Sequence, residues 1–298
     1  MNKKNNFKVD FIGVGPPKCG TTWIYKCLEE HPQICMNRPK ELHFFRKDRQ
    51  KKESGGLYEY GMDYYKKHFN HCQEGQIIGE FGPLYFRRKD SVELIKKTYP
   101  NIKIIVSLRN PVDKLFSHYN HGASKDAFKK SFEEMIEDRE WIDKLTQDHI
   151  HLKRFLDNFP KENILILIYE DAKKDPKNFI QKIYKFIGVD DGYIPKSVNI
   201  KYNSAALRFS AKNRKTRSIL FKTYNILRKV PILKNLMKIA KEKRLTTRTL
   251  ETINSLTAEK EAKSPELKKE TRERLKKITA NNVAALESLL GYEIKQWK

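Results

Sequence analysis

Eight residues near the amino end, Gly15-Pro16-Pro17-Lys18-Cys19-Gly20-Thr21-Thr22, join an apolar run to a helical pattern. Two glycines, a lysine and two hydroxyls at such a junction have the composition of a phosphate-binding loop. Its backbone N–H groups, with the helix start behind them, can cradle anionic oxygens. It is not a Walker A sequence, which needs lysine directly after the second glycine. Thr21 stands there, and the lysine comes earlier, at Lys18. A second anion-reading group closes another apolar run: Leu108-Arg109-Asn110-Pro111, with Ser117 further on. A magnesium-dependent NTPase wants an acidic residue at that strand end. Arginine there points instead to a bare phosphate held by a two-pronged grip. A third grouping is Lys40-Glu41-Leu42-His43-Phe44-Phe45. If 40–45 is extended, Glu41 and His43 project to one face and Leu42 and Phe44 to the other. That pair could deprotonate an acceptor. The histidine groupings His68-x-x-His71-Cys72, His118-x-x-His121 and His149-x-His151 each lack further ligands, so no metal is expected.

These residues need elements to hold them. Residues 8–14 read as a short buried strand and 21–30 as a helix with Ile24, Cys27 and Leu28 as its core stripe. Trp23 lies about 100° from that stripe, which leaves it free to face a ligand. Strands are expected at 76–80, 102–108 and 164–168, and helices at 91–99, 148–158 and 176–187, the last stopped by Gly188. Asn110 and Pro111 open a further helix as N-cap and first residue, closed by Gly122. Its core stripe is Val112, Leu115, Phe116 and Tyr119, so Ser117 points elsewhere. Strands alternating with helices imply an α/β fold with a parallel sheet and right-handed crossovers. Beyond 205 the pattern is helical to the end, and nothing splits the chain, so residues 1–298 read as one domain.

The sequence has 61 Lys+Arg against 37 Asp+Glu, a net charge of +24, and 39% hydrophobic residues. That is enough apolar material for a sizeable core and excludes wholesale disorder. The longest apolar run, Ile164 to Tyr169, is far below the roughly 18 residues of a membrane helix. No secretory signal is visible, and a cytoplasmic protein is expected. Cys19, Cys27, Cys35 and Cys72 form no CxxC pair, so a disulfide framework is not expected and a reducing compartment is. Residues 201–250 carry 15 Lys+Arg and one acidic residue, Glu242. Such a concentration calls for an anionic partner.

The motifs together resemble the sulfotransferase family that uses 3′-phosphoadenosine 5′-phosphosulfate (PAPS). PKCGTTW (17–23) is similar to its 5′-phosphosulfate loop, SLRNPVDKLFSHY (107–119) to its 3′-phosphate motif, and IYEDAKKDP (168–176) to its YED segment. KELHFF (40–45) and GEFGPLYF (79–86) resemble the heparan-sulfate and bacterial branches. The tail, from SPELKKETRERL (264–275) to LLGYEIKQW (289–297), resembles bacterial members. The resemblance spans about 9–298 and implies a P-loop-like three-layer fold, with a parallel sheet flanked by helices and a helical C-terminal part. It implies PAPS as co-substrate, no metal, and transfer of a sulfuryl group to a hydroxyl or amine, with KELHFF favouring a carbohydrate or glycolipid acceptor. By the same resemblance Lys18 meets the charge on the leaving phosphate. Cys19, Gly20, Thr21 and Thr22 bind the 5′-phosphate, Arg109 and Ser117 hold the 3′-phosphate, and Trp23 and Tyr169 lie at the adenine. Glu41 is the expected base, assisted by His43. Heparan-type relatives carry a second lysine where this chain has Phe81. The RKG segment that closes on the 3′-phosphate has no clear counterpart, and Arg208, or Lys212 and Arg214, would substitute. The rivals are a P-loop kinase or NTPase, and a non-catalytic binder of anionic surfaces, which gives Lys18, Arg109 and Ser117 no role. No specific nucleic acid is expected.

Within the basic subregion 205–250, Leu220, Tyr224, Leu227 and Val230, then Leu233, Leu236, Met237 and Ala240, follow helical spacing broken at Pro231. Lys234, Lys238 and Lys241 form a basic stripe. One reading is a pair of covering helices; the other is a lid that contacts an anionic membrane or acidic glycan from the periphery. The second predicts salt-sensitive sedimentation with anionic vesicles but not neutral ones, because the Debye length falls from about 10 Å at 0.1 M to about 3 Å at 1 M. No retention on anionic vesicles or acidic glycans at low salt would leave only the covering helices.

Overall fold

A computed structural model of the chain describes residues 7–47, 57–123, 127–128, 130–200 and 266–298. Five short strands form one parallel sheet: β1 (Phe11–Gly13), β2 (Ile34–Met36), β3 (Ile77–Phe81), β4 (Lys103–Leu108) and β5 (Ile164–Ile168). Their order is β2-β3-β1-β4-β5, with Gly13 paired to both Phe81 and Ile105. β1 is therefore central, and the chain leaves it between neighbours that connect in opposite directions across the sheet. In parallel sheets that reversal opens a crevice beyond the strands' carboxyl ends, where ligands bind.

Alternate residues of each strand feed two cores. Ile12, Val14, Ile104 and Val106 pack on one face with Phe44, Tyr65 and Phe155. Phe11, Ile105 and Leu167 pack on the other with Ile24 and Leu28 of α1 (Thr21–Glu30) and Phe179 and Ile183 further on. The remaining described helices are α2 (Gly61–Lys66), α3 (Lys89–Thr98), α4 (Pro111–Ala123), α5 (Phe132–Met135), α6 (Arg139–Thr146), α7 (Asp148–Asn158), α8 (Tyr169–Lys174), α9 (Pro176–Ile187) and α10 (Lys269–Leu290). Asn110 caps α4 as expected, its side-chain oxygen accepting from the backbone N–H of Val112 at 3.0 Å. Gly188 ends α9 at φ 88°, a left-handed turn that glycine adopts without strain. Gly122 lies inside the last turn of α4, not beyond it. Among the described residues no helix is long and apolar enough to cross a membrane.

The chain divides into two compact units. The first, residues 1–118, 130–202 and 269–298, holds the sheet. The second comprises 119–129 and 203–268, and within it Tyr119 stacks on Phe128 at 5.9 Å between ring centroids. The basic subregion 205–250, with Arg208, Lys212 and Arg214, lies outside the described residues.

Two features depart from the sequence reading, and a third lies beyond it. Residues 40–45 form no strand, and His43 sits at φ 56°. Cys35 and Cys72, 37 residues apart, are joined by a disulfide. The register brings them together: β2 pairs with β3 from Ile34 opposite Ile77, so the turn entering β3 passes beside Cys35. Glu80, inside β3, is fully buried, with the Tyr65 hydroxyl on one oxygen and that of Tyr85 on the other at 2.5 Å. Tyr85 also accepts from the Phe45 N–H at 3.3 Å, which ties the 42–45 segment to β3.

Burial raises the Glu80 carboxyl from 4.5 to about 7 against the opposing effect of its two tyrosine hydrogen bonds. The folded chain then keeps a proton that the unfolded chain releases between those two values. Stability contributed by this group is greatest below 4.5 and declines as pH rises to about 7. Glu80→Gln should flatten the pH dependence of the unfolding free energy between pH 4.5 and 7, by on the order of 3 kcal/mol. Denaturant titrations of both proteins across that range check this, and parallel curves would contradict it.

Candidate active site

The loop from Val14 to Gly20 leaves the central strand and is held from beneath by the end of β4. The Ser107 hydroxyl donates to the Cys19 carbonyl at 2.8 Å, and Arg109 Nη1 donates to the Lys18 carbonyl at 2.8 Å. A Cβ at Gly15 would stand 2.6 Å from the Ser107 nitrogen, so only glycine lets the loop lie this close to β4. Lys18 (φ 74°) and Gly20 (φ 77°) both adopt the left-handed conformation. For Lys18 that costs about 1 kcal/mol or more, a strain characteristic of ligand-binding turns. α1 then starts at Thr21 without a side-chain cap, which leaves its first N–H groups to a ligand. Thr21 is buried and Thr22 half-buried. The Cys19 thiol is fully buried and pushed up to about 12 by desolvation, so only its backbone faces outward chemistry.

Arg109 is gathered into the same place. Its guanidinium lies 5.4 Å from the centre of the Tyr169 ring, and that ring fills the space where a Cβ on Gly20 would come within 2.3 Å. Lys18, Gly20, Arg109 and Tyr169, from three separate stretches of sequence, thus form one cluster. Arg109 Nε is buried with no acceptor. Ser117 is half-buried on α4. Glu170 accepts from the Asn110 N–H at 3.3 Å and from the indole of Trp297 at 2.9 Å. Gln296 reaches Asp171 at 2.6 Å, and Arg272 reaches Asp113 at 2.8 Å. The chain's tail therefore braces the YED segment. The sequence named both stretches but not their contact.

Trp23, expected at the adenine, is held on α1. It is 8% exposed, packs on Phe179 at 5.6 Å, and donates to the carbonyls of Ser197 and Val198 at 3.1 Å. A buried indole N–H needs an acceptor. The carbonyls of 197 and 198 supply one.

Glu41 and His43 do meet, though not through a strand pleat. Glu41 Oε2 is 3.5 Å from His43 Nε2, and Glu41 Oε1 accepts from Lys40 at 2.9 Å. Burial lowers the His43 pKa, with Arg46 and Lys40 adding to the effect against the pull of Glu41. His43 is therefore neutral, and its buried Nδ1 has no partner. The Glu41 side chain is 30% exposed, within reach of an acceptor.

Deeper in, the sequence reading missed a buried ion pair. Lys114 on α4 donates to Asp148, the first residue of α7, and both side chains are almost wholly buried. Their charges act on Cys19 of the loop. His118 and His151 are each pushed down to about 4, first by burial and then by neighbouring cations, among them Arg87 and Lys114 for both. Arg87 Nε is buried without an acceptor. Orphaned guanidinium donors, an uncapped helix start and a surplus of cations fit an anionic ligand. Among the described residues the one cluster with metal-ligand spacing is Cys35, His71 and Cys72, whose sulfurs are already bonded to each other.

A family model described as the sulfotransferase domain matches residues 8–287. Mouse bifunctional heparan sulfate N-deacetylase/N-sulfotransferase 4 is 28% identical over 204 residues, 61% of this chain and 22% of that protein. The membrane-associated sulfotransferase kil1 of Dictyostelium discoideum is 32% identical over 114 residues, 37% of this chain and 22% of its own length. The chain thus spans about a fifth of the curated relatives it matches. A sulfotransferase crystal structure from Alicyclobacillus acidocaldarius superposes with a TM-score of 0.68, covering 98% of this chain and 99% of that one at 22% identity, a likeness of fold.

Removing one partner of a buried pair leaves the other charge uncompensated. Asp148→Ala should cost about 3–5 kcal/mol of unfolding free energy. Lys114→Met with Asp148→Leu should recover most of it. Chemical denaturation of the three variants measures this, and a double variant no more stable than the single one would contradict it.

Proposed function

Because the chain belongs to the sulfotransferase domain family, we propose that it moves a sulfuryl group from PAPS to a hydroxyl or amine of a carbohydrate or glycolipid acceptor. The observation that carries this reading is the clasp of Arg109 on the Lys18 carbonyl at 2.8 Å. It joins the arginine that follows β4 to the loop that carries Lys18, and this reading assigns the two residues to the two phosphates of the nucleotide.

In this reading the N–H groups of Gly20, Thr21 and Thr22 and the threonine hydroxyls hold the 5′-phosphate. Lys18 donates to the bridging oxygen as the bond to sulfur breaks. Stabilising charge that develops in the transition state contributes several kcal/mol in a site closed to water. Arg109 keeps Nη1 on the loop and offers Nε to the 3′-phosphate, with Ser117 as second donor. Tyr169 flanks the adenine. Glu41 takes the acceptor's proton, and neutral His43, 3.5 Å away, orients the carboxylate. The acceptor oxygen or nitrogen bonds to sulfur while the sulfur–oxygen bond to the phosphate breaks and leaves its electron pair there.

A transfer screen with labelled PAPS over glycans, glycolipids and phenols tests the reading, and its first success fixes the acceptor class. With that acceptor, Lys18→Ala should lower kcat by on the order of 100-fold or more while the fold survives. Glu41→Gln should retain binding of adenosine 3′,5′-bisphosphate and lose most transfer. If His43→Ala abolishes transfer and Glu41→Gln does not, the histidine is the base.

A further inference from the structure

The cation that heparan-type relatives carry at the position of Phe81 is missing here, and the structure shows that residue 81 cannot supply a substitute. The Phe81 ring is fully buried, lies against Gly13 and belongs to the core beneath α1. Six residues on, the chain provides another cation. The turn Pro83–Arg87 follows β3 directly, and the Gly82 N–H donates to the Gly13 carbonyl at 2.9 Å, so this turn and the Lys18 loop start from adjoining strand ends.

Arg87 ends that turn. Its carbonyl accepts from Arg154 of α7 at 3.4 Å, which fixes the backbone. Its Nε is buried and finds no acceptor. Among the described residues the carboxylate whose charge reaches it is Asp148, which has its Oδ2 on Lys114 and leaves Oδ1 without a hydrogen bond. Arg87 and Lys18 both act electrostatically on His118, one residue past Ser117, and Arg87 also senses Cys19 beside Lys18. Around Cys19 and His118, four cations, Lys18, Arg87, Arg109 and Lys114, thus act against two carboxylates, Asp148 and Glu170. A mostly buried guanidinium without an acceptor is costly unless an anion arrives.

We propose that Arg87 is the second cation of the sulfuryl site, its guanidinium donating to a non-bridging oxygen of the group in transfer. The proposal rests on the sulfotransferase reading. Lys18 then meets the oxygen that leaves with the electron pair of the broken sulfur–oxygen bond. Arg87 holds an oxygen that stays on sulfur. The acceptor's proton goes to Glu41, and Arg87 transfers none. The role falls to a residue after the turn because the pleat directs position 81 into the core.

Adenosine 3′,5′-bisphosphate lacks the sulfuryl group and PAPS carries it, so calorimetry with both isolates the contact. Arg87→Gln should weaken PAPS binding about tenfold or more and leave bisphosphate binding within about twofold. Arg87→Lys, which restores the charge without the fork, should recover part of the loss. Equal weakening of both ligands, or loss of thermal stability with both affinities unchanged, would overturn the proposal and make Arg87 a phosphate contact or a structural partner of Asp148. If Arg87→Gln does not fold, the Arg87→Lys comparison decides on the same criterion. A wild-type protein that binds neither nucleotide would instead overturn the sulfotransferase reading itself.

Discussion

One hydrogen bond, from Arg109 at the end of β4 to the carbonyl of Lys18, sets the geometry on which the site depends. It fixes a loop that already carries two left-handed residues, and it fixes the arginine as well. Tyr169 wedges against Gly20 and beneath the guanidinium, so three strand ends are locked to one another. A phosphate loop works by presenting donors at preset positions, and donors that need no reorganisation are worth most in a dry site. The parallel sheet supplies the platform: β1 sits between β3 and β4, and the loops that follow all three converge on one edge.

The charge beneath that edge is organised in the same spirit. Lys114 is neutralised by Asp148, which lets it lie in the core. Arg87 and Arg109 keep buried donors without protein acceptors. His118 and His151 are held neutral by burial and by these cations, so they add no further positive charge at physiological pH. The sulfotransferase reading proposed above gives these donors an anionic partner. On the other side of β3, Glu80 and its two tyrosines anchor the segment that carries Glu41 and His43.

Much of this was readable from local pattern. The spans of α1, α7, β5 and α9 follow from apolar period and from punctuation at Gly20, Pro176 and Gly188, because those signals act within a turn or two. Lys18 and Arg109 stand out by type and by place after a strand, and Tyr169 comes from the resemblance of the YED segment. What escaped was long-range. Lys114 with Asp148, Cys35 with Cys72, and Trp297 with Glu170 are separated by 34, 37 and 127 residues, and tertiary packing, not any spacing, brings each pair together. The partners of the Trp23 N–H escaped in the same way, because the carbonyls of 197 and 198 lie 174 and 175 residues further along the chain. Residues 40–45 alternate like a strand but have no partner strand to pair with, so the pattern reflects burial of Leu42 and Phe44 and not a pleat.

The central claim is that the loop clasped by Arg109 is a site for a nucleotide with phosphates at both the 3′ and 5′ positions, read by arginine and lysine. Calorimetry of the whole chain with adenosine 3′,5′-bisphosphate in the presence of a chelator, set against ATP with magnesium, tests it most directly. The account predicts binding of the bisphosphate without added metal, and no competition from magnesium–ATP. Tighter binding of magnesium–ATP, or a bisphosphate complex that forms only with the metal, would contradict it.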